Sequence, residues 1–253
     1  MCKYLATSGN GDEENNGQRS WFHPCATVGP ITDVLIDGVM VDDAAQVVRI
    51  LSRESLLDRI TVRNVNGNYR SFGFYLSAWD YQHKGLQGNF GSILFENIDL
   101  RQTKADYTYT EPFLFRISGR HQCLTLKDIY YHDPVDDRYL IHLEGRTDVP
   151  DMGDTPAEVE SLVIDGLHIQ DSGDSAQTRP YIKASGHVRR MVVKNSEIYC
   201  TKNKQAVLIA TEGEHAKIDR LVVYNICAEN MAAIVSDPEN RITQVETSNV
   251  LMN

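Results

Sequence analysis

Eight segments of the chain repeat one arrangement: an apolar residue, any residue, a second apolar residue, any residue, then Asn, Gly or Asp. They read VLIDG, ITVRN, ILFEN, LTLKD, LVIDG, MVVKN, LVVYN and VETSN, and they end at Gly38, Asn64, Asn97, Asp128, Gly166, Asn195, Asn225 and Asn249. Their spacing runs from 24 residues (Asn225 to Asn249) to 38 (Asp128 to Gly166). Alternation with period two predicts strands with one buried face, whereas helical repeats would carry a period near 3.6. Gly, Asn and Asp take up a left-handed backbone at least cost, so each segment is predicted to end in a sharp bend.

A second strand-like run lies in each interval: VVRIL, FYLSA, FRISG, IHLEG, IKASG, LIATE and AIVSD. Aligned, these runs put Val48, Phe74, Phe115, Ile141, Ile182, Leu208 and Ala233 in one inward column. Ile50, Leu76, Ile117, Leu143, Ala184, Ala210 and Val235 fill another. Between them, pointing outward, stand Arg49, Tyr75, Arg116, His142, Lys183, Ile209 and Ile234. The next outward column is Leu51, Ser77, Ser118, Glu144, Ser185, Thr211 and Ser236. Each repeat then supplies two or three short strands, and stacked repeats form long parallel sheets with strands about 4.8 Å apart. An all-β sandwich also has many short strands, but it would not set Asn, Gly or Asp at one strand phase eight times.

This rung pattern resembles the right-handed parallel β-helix of the pectin-lyase-like superfamily, over about residues 31–253. The resemblance implies an all-β solenoid of about eight coils forming a single domain. Residues 1–30, rich in Gly, Asn and charge, precede it as a polar segment or an incomplete first coil.

Charge narrows the partners. Lys and Arg number 25 against 35 Asp and Glu, a net charge of −10, which argues against a general nucleic-acid binder. The five cysteines are scattered, without CxxC pairs, so neither a disulfide scaffold nor a zinc site is indicated. No 18-residue apolar stretch exists and the first residues lack a signal-peptide core, so a soluble chain with no membrane partner is expected, extracellular or cytoplasmic. On this acidic background the row Arg49, Tyr75, Arg116, His142, Lys183 stands out, because like charges one strand apart repel. An elongated anion, a polyuronate or a sulfated glycan, would balance them. The alternative is an ordinary solvated row, partly neutralised by Glu144.

Insertions flank the row. One after Tyr75 holds Trp79, Asp80, Tyr81 and His83, and another, TKADYTYTEP, holds Tyr107, Tyr109 and Glu111. Such loops could wall a cleft, with aromatic rings against sugar faces or packed on the coil. A third, RTDVPDMGDTPAE, carries Asp148, Asp151, Asp154 and Glu158; it could ligate calcium, though its spacing reads as a solvated loop, and no cofactor is otherwise expected.

Within the superfamily the chain is most similar to the polygalacturonases, glycoside hydrolase family 28, over about residues 31–119. That family's pattern is an Asp pair before one strand, Gly-His-Gly before the next and Arg-Ile-Lys on a third. Here the third reads Arg116, Ile117, Ser118; the second reads Ser71, Phe72, Gly73; Ala45 and Gln46 stand at the Asp pair, with Asp42 and Asp43 three residues earlier. The resemblance implies a glycoside hydrolase or polysaccharide lyase acting on an acidic polysaccharide. The residues themselves offer His142, Glu144, Arg116 and Tyr75 as catalytic candidates, and Arg49, Lys183, Trp79, Tyr107 and Tyr109 as substrate contacts. For hydrolysis, Glu144 would pair with Asp80 or Glu111. For elimination, His142, Tyr75 or Lys183 would take the proton while Arg116 neutralises the uronate carboxylate. The rival reading is a non-catalytic glycan-binding or structural module, or part of a larger enzyme, associating with further copies through uncapped coil ends.

Overall fold

The computed structural model describes residues 25–26, 29–78, 86–103, 113–132, 139–145, 155–171, 179–201 and 205–253. Every element in them is a strand: β1 (Cys25–Ala26), β2 (Ile31–Ser52), β3 (Leu57–Ser77), β4 (Phe90–Gln102), β5 (Phe113–Ile117), β6 (Arg120–His132), β7 (Tyr139–Leu143), β8 (Glu158–Asp171), β9 (Ile182–Ala184), β10 (His187–Cys200), β11 (Val207–Thr211), β12 (Lys217–Glu229), β13 (Ala233–Ser236) and β14 (Ile242–Met252). No helix among the described residues is long and apolar enough to cross a membrane.

All strand pairs are parallel, and all fourteen strands belong to one sheet. Its order, β13-β11-β9-β7-β5-β3-β4-β6-β8-β10-β12-β14 with β2 beside β3 and β1 beside β2, shows how it curls. The long strand β3 is the link: Leu57–Tyr69 pair with β4, and Phe72–Leu76 pair with β5. Beyond it, even-numbered strands stack on one face and odd-numbered strands on the other, so the chain alternates between faces as it advances. This is a parallel β-helix.

The repeated apolar positions close the inside. Ile60, Val62, Ile93, Phe95, Leu124 and Leu126 from the first face share one core with Phe74, Phe115, Ile117, Ile141 and Leu143 from the second. Phe74 stacks on Phe115 at 4.9 Å, and Phe95 meets both rings, at 4.9 and 5.2 Å, which ties the two faces together. Each such ring contributes roughly 1.5–3 kcal/mol by burial.

The bends follow the sequence pattern throughout. Gly38, Asn64, Asn97, Asp128, Gly166, Asn195, Asn225 and Asn249 all have φ between +50° and +80°. The asparagines among them reach one rung back along the outside. Asn97 Nδ2 donates to Asn64 Oδ1, Asn225 to Asn195 and Asn249 to Asn225, at 2.7–2.8 Å. Where the lower rung has glycine, the Asp just before it accepts instead: Asn64 donates to Asp37 and Asn195 to Asp165, both at 2.7 Å.

One register differs from the aligned sequence. β11 pairs with β9 as Ile209 to Ile182 and Ala210 to Lys183, and with β13 as Ile209 to Val235 and Ala210 to Ser236. The outward row therefore continues from Lys183 to Ala210 and Ser236, not to Ile209 and Ile234, and the inward column takes Ile209 rather than Leu208. Both Leu208 and Ile209 lie in the core, as do Leu114 beside Phe115 and Leu140 beside Ile141. Two consecutive residues are buried at each of these places, so simple alternation fails there.

Candidate functional site

On the second face, β2, β3, β5, β7 and β9 bring Arg49, Tyr75, Arg116, His142 and Lys183 into one row, through the pairs Arg49–Tyr75, Tyr75–Arg116, Arg116–His142 and His142–Lys183. Sequence alternation predicted this row, but predicted it as solvent-facing. That expectation is corrected: Tyr75, Arg116 and His142 are only 7–8% exposed and Glu144 is 1% exposed, while Arg49 and Lys183 are half-buried.

Burial requires partners, and each cation has them inside the protein. Arg116 donates to Glu144 Oε2 through Nε at 3.0 Å and again through Nη2, and the Gly145 N–H donates to Oε1 at 3.1 Å. The Arg116 guanidinium also lies over Tyr75 at 5.2 Å and over Phe113 at 5.6 Å. Arg49 sits over the other side of the row's aromatic member, 4.9 Å from the Tyr75 centroid, and donates to Ser77 Oγ at 3.3 Å. Lys183 Nζ is 4.8 Å from the Tyr139 ring, 3.3 Å from its hydroxyl and 3.3 Å from Glu212. Burial pulls the Lys183 ammonium down, but Tyr139 and Glu212 outweigh it and leave the pKa above its ordinary value. The His142 ring rests against Tyr139 at 5.3 Å.

The row is thus a largely buried strip in which aromatic rings separate the cations, and Glu144 and Glu212, one column over, neutralise Arg116 and Lys183. Sequence reasoning missed Tyr139, Phe113 and Glu212. Tyr139 and Phe113 sit three residues from the row rather than two, with two consecutive buried residues between, so alternation does not point to them. Glu212 was hidden by the register of β11: with Ala210 in the row, Glu212 falls two residues further on the same face.

Other expectations fall elsewhere. Trp79, Asp80, Tyr81, His83, Tyr107, Tyr109, Glu111, Asp148, Asp151 and Asp154 lie outside the described residues. Glu158 is exposed and pairs with Arg120 at 3.0 Å. Ala45 and Gln46 are buried, while Asp42 and Asp43 are exposed where β2 slips register against β3. Asp43 has φ +52° and accepts from Thr103 at 2.7 Å. At Gly73 a Cβ would come within 2.4 Å of the Leu114 side chain and 2.7 Å of its carbonyl oxygen, so close packing demands glycine there.

Two further buried polar groups lie off the row. Tyr181 donates to Asp171 at 3.0 Å and touches Cys200 Sγ at 3.2 Å, and burial pushes both the phenol and the thiol above their ordinary pKa values. His121 stacks on Phe90 at 4.3 Å and donates through Nε2 to the Ser118 carbonyl at 2.9 Å; burial drives its pKa down to about 4. Among the described residues, no group of three or more His, Cys, Asp or Glu is placed to hold a metal, and Cys123, Cys200 and Cys227 are free thiols. No protein-family model, curated protein or solved structure matches the chain.

Proposed function

We propose that the chain is a carbohydrate-active β-helix protein that acts on an acidic polysaccharide, centred on Tyr75, Arg116, His142 and Glu144. The observation that carries this reading is the concentration of four ionisable side chains, each under 9% exposed, on three adjacent strands of one sheet face and the residue that follows the third. Buried ionisable clusters mark functional sites more often than ordinary surface does. Elimination suits the cluster better than hydrolysis. Hydrolysis needs two placed carboxyl groups, and Glu144 is already engaged by Arg116 while Glu212 stands on Lys183. Elimination needs one base, for which His142 is the candidate, and one cation beside the uronate carboxylate, for which the half-buried Arg49 is the candidate while Arg116 is held by Glu144. The link to the pectin-lyase-like superfamily rests on the rung pattern, and the link to polygalacturonases on Arg116 and Ile117.

The test is incubation with a panel of polyuronates and sulfated glycans, with and without calcium, following ultraviolet absorbance of unsaturated ends and new reducing ends. Both signals should rise, and both should fall at least 100-fold in His142→Ala. Reducing ends alone would indicate a hydrolase. A second reading, a glycan-binding or structural module, draws on the internal pairing of every cation in the row. Under it no glycan yields product, and Arg49→Ala lowers at most binding.

A further inference from the structure

Along most of the molecule, polar side chains answer one another from rung to rung. One corner departs from this. Where the chain passes from the second face back to the first, Arg53 and Glu54 follow β2, Leu86 to Asn89 precede β4, and Arg120 opens β6. Together they line an open depression of about 350 Å³, with Arg53, Glu54 and Arg120 exposed at its rim. Its frame is fixed by backbone bonds. The Gly88 N–H donates to the Arg53 carbonyl at 2.7 Å, the Arg120 N–H donates to the Gln87 carbonyl at 3.0 Å, and the Asn89 N–H donates to Ser52 Oγ at 3.0 Å. The two arginines are therefore held on opposite sides of one dipeptide, Gln87–Gly88. That dipeptide is itself locked: Gly88 has φ +67°, and a Cβ on it would come within 2.6 Å of Ala78 Cβ.

Within this rigid frame the side chains of Arg53, Glu54, Gln87 and Asn89 make no hydrogen bond or ion pair among the described residues, and only Arg120 is engaged, by Glu158 at 3.0 Å. The uncommitted groups are a guanidinium, a carboxylate and two primary amides. All are planar and present pairs of polar atoms, with donors and acceptors both represented. Leu86 supplies one apolar wall. The formal charges balance once Glu158 is counted: Arg53 and Glu54 are sequence neighbours of opposite sign, and Arg120 is answered by Glu158. A balanced pocket gives an anion no net attraction, and its polar lining suits neither a lipid nor an aromatic compound. Adjacent hydroxyl groups on a ring match such two-atom partners.

We infer that this corner is a binding site for a neutral, hydroxyl-rich ligand of monosaccharide size, separate from the buried row. It does not depend on the acidic-polysaccharide reading, since the row contributes no residue to it. The experiment is calorimetric or saturation-transfer titration of the full chain with neutral trisaccharides of glucose, galactose and mannose, and with trigalacturonate, at 20 and 500 mM salt. At least one neutral sugar should bind, with an affinity that changes less than twofold with salt. Glu54→Ala and Asn89→Ala should each weaken it at least fivefold with unchanged thermal unfolding, and His142→Ala should leave it intact. Absence of neutral-sugar binding up to 20 mM, or binding indifferent to both corner variants, overturns the inference. Trigalacturonate binding that Arg53→Ala abolishes and salt weakens would also overturn it, making the corner an anion site. Product formation from acidic glycans with no neutral-sugar binding would sink this inference alone.

Discussion

Two outward rows run along this molecule, one on each face, and they solve the same electrostatic problem differently. On the first face the row reads Asp37, Arg63, Glu96, Lys127, Asp165, Lys194, joined strand to strand by the sheet register. Sign alternates at every step, with ion pairs of 2.9 Å (Arg63–Asp37), 2.6 Å (Lys127–Glu96) and 2.9 Å (Lys194–Asp165). On the second face Arg49, Arg116 and Lys183 share a row with Tyr75 and His142, and the carboxylates on Arg116 and Lys183, Glu144 and Glu212, come from the neighbouring column. The first row is partly exposed throughout, with Lys127 and Glu96 side chains 44% and 28% accessible, whereas Arg116 and Glu144 are 10% and 1%. Water screens the first row and leaves each pair little to contribute. In the second, the protein itself must supply every counter-charge. A surface ladder tolerates loss of a member; a buried strip does not.

The largest effect is expected at Glu144. Glu144→Ala leaves the Arg116 guanidinium buried without its carboxylate, and such losses cost about 3–5 kcal/mol. Urea denaturation should show this, and the double variant Arg116→Met, Glu144→Ala should regain most of it. A cost below 1 kcal/mol would mean that the two faces do not differ in this way.

His121 separates burial from the choice of face, because it lies on the first face yet points inward, with Nδ1 buried and unpartnered. Its pKa is lowered to about 4 from 6.5, so the folded state binds fewer protons than the unfolded state. The stability held above pH 6.5 is lost as pH falls through that window, by about 3 kcal/mol at pH 4. His121→Phe should remove this part of the acid sensitivity. Parallel pH-denaturation curves for the two proteins would show the histidine is not responsible.

The smallest effect is expected on the exposed ladder. Lys127→Gln should change stability by no more than about 0.5 kcal/mol, and the change should vanish in 1 M salt, where the screening length is about 3 Å.

The bends and most inward columns were legible in the sequence, because a residue type that tolerates positive φ at a fixed strand phase reports backbone geometry directly. The outward row was legible as a row, since a sheet's alternation carries from strand to strand. Its burial was not. Arg116 and Glu144 are diagonal neighbours, one strand over and two residues along, a pairing that alternation within one strand does not report. The register of β11 was hidden because Leu208 and Ile209 are both apolar and both buried, so composition could not say which one continues the column.

The side-chain ladder at the bends has a consequence for how this chain tolerates change. Each asparagine amide reaches one rung back, and above each of the two glycine rungs it reaches the aspartate that precedes the glycine. A residue inserted between an apolar pair and its bend would carry the amide out of reach and turn the strand's inward set to solvent. A residue inserted beyond the bend, in the segments that make one repeat 24 residues and another 38, would disturb neither. Length variation in descendants of this sequence should therefore accumulate between the faces and spare the five residues that end in Asn, Asp or Gly.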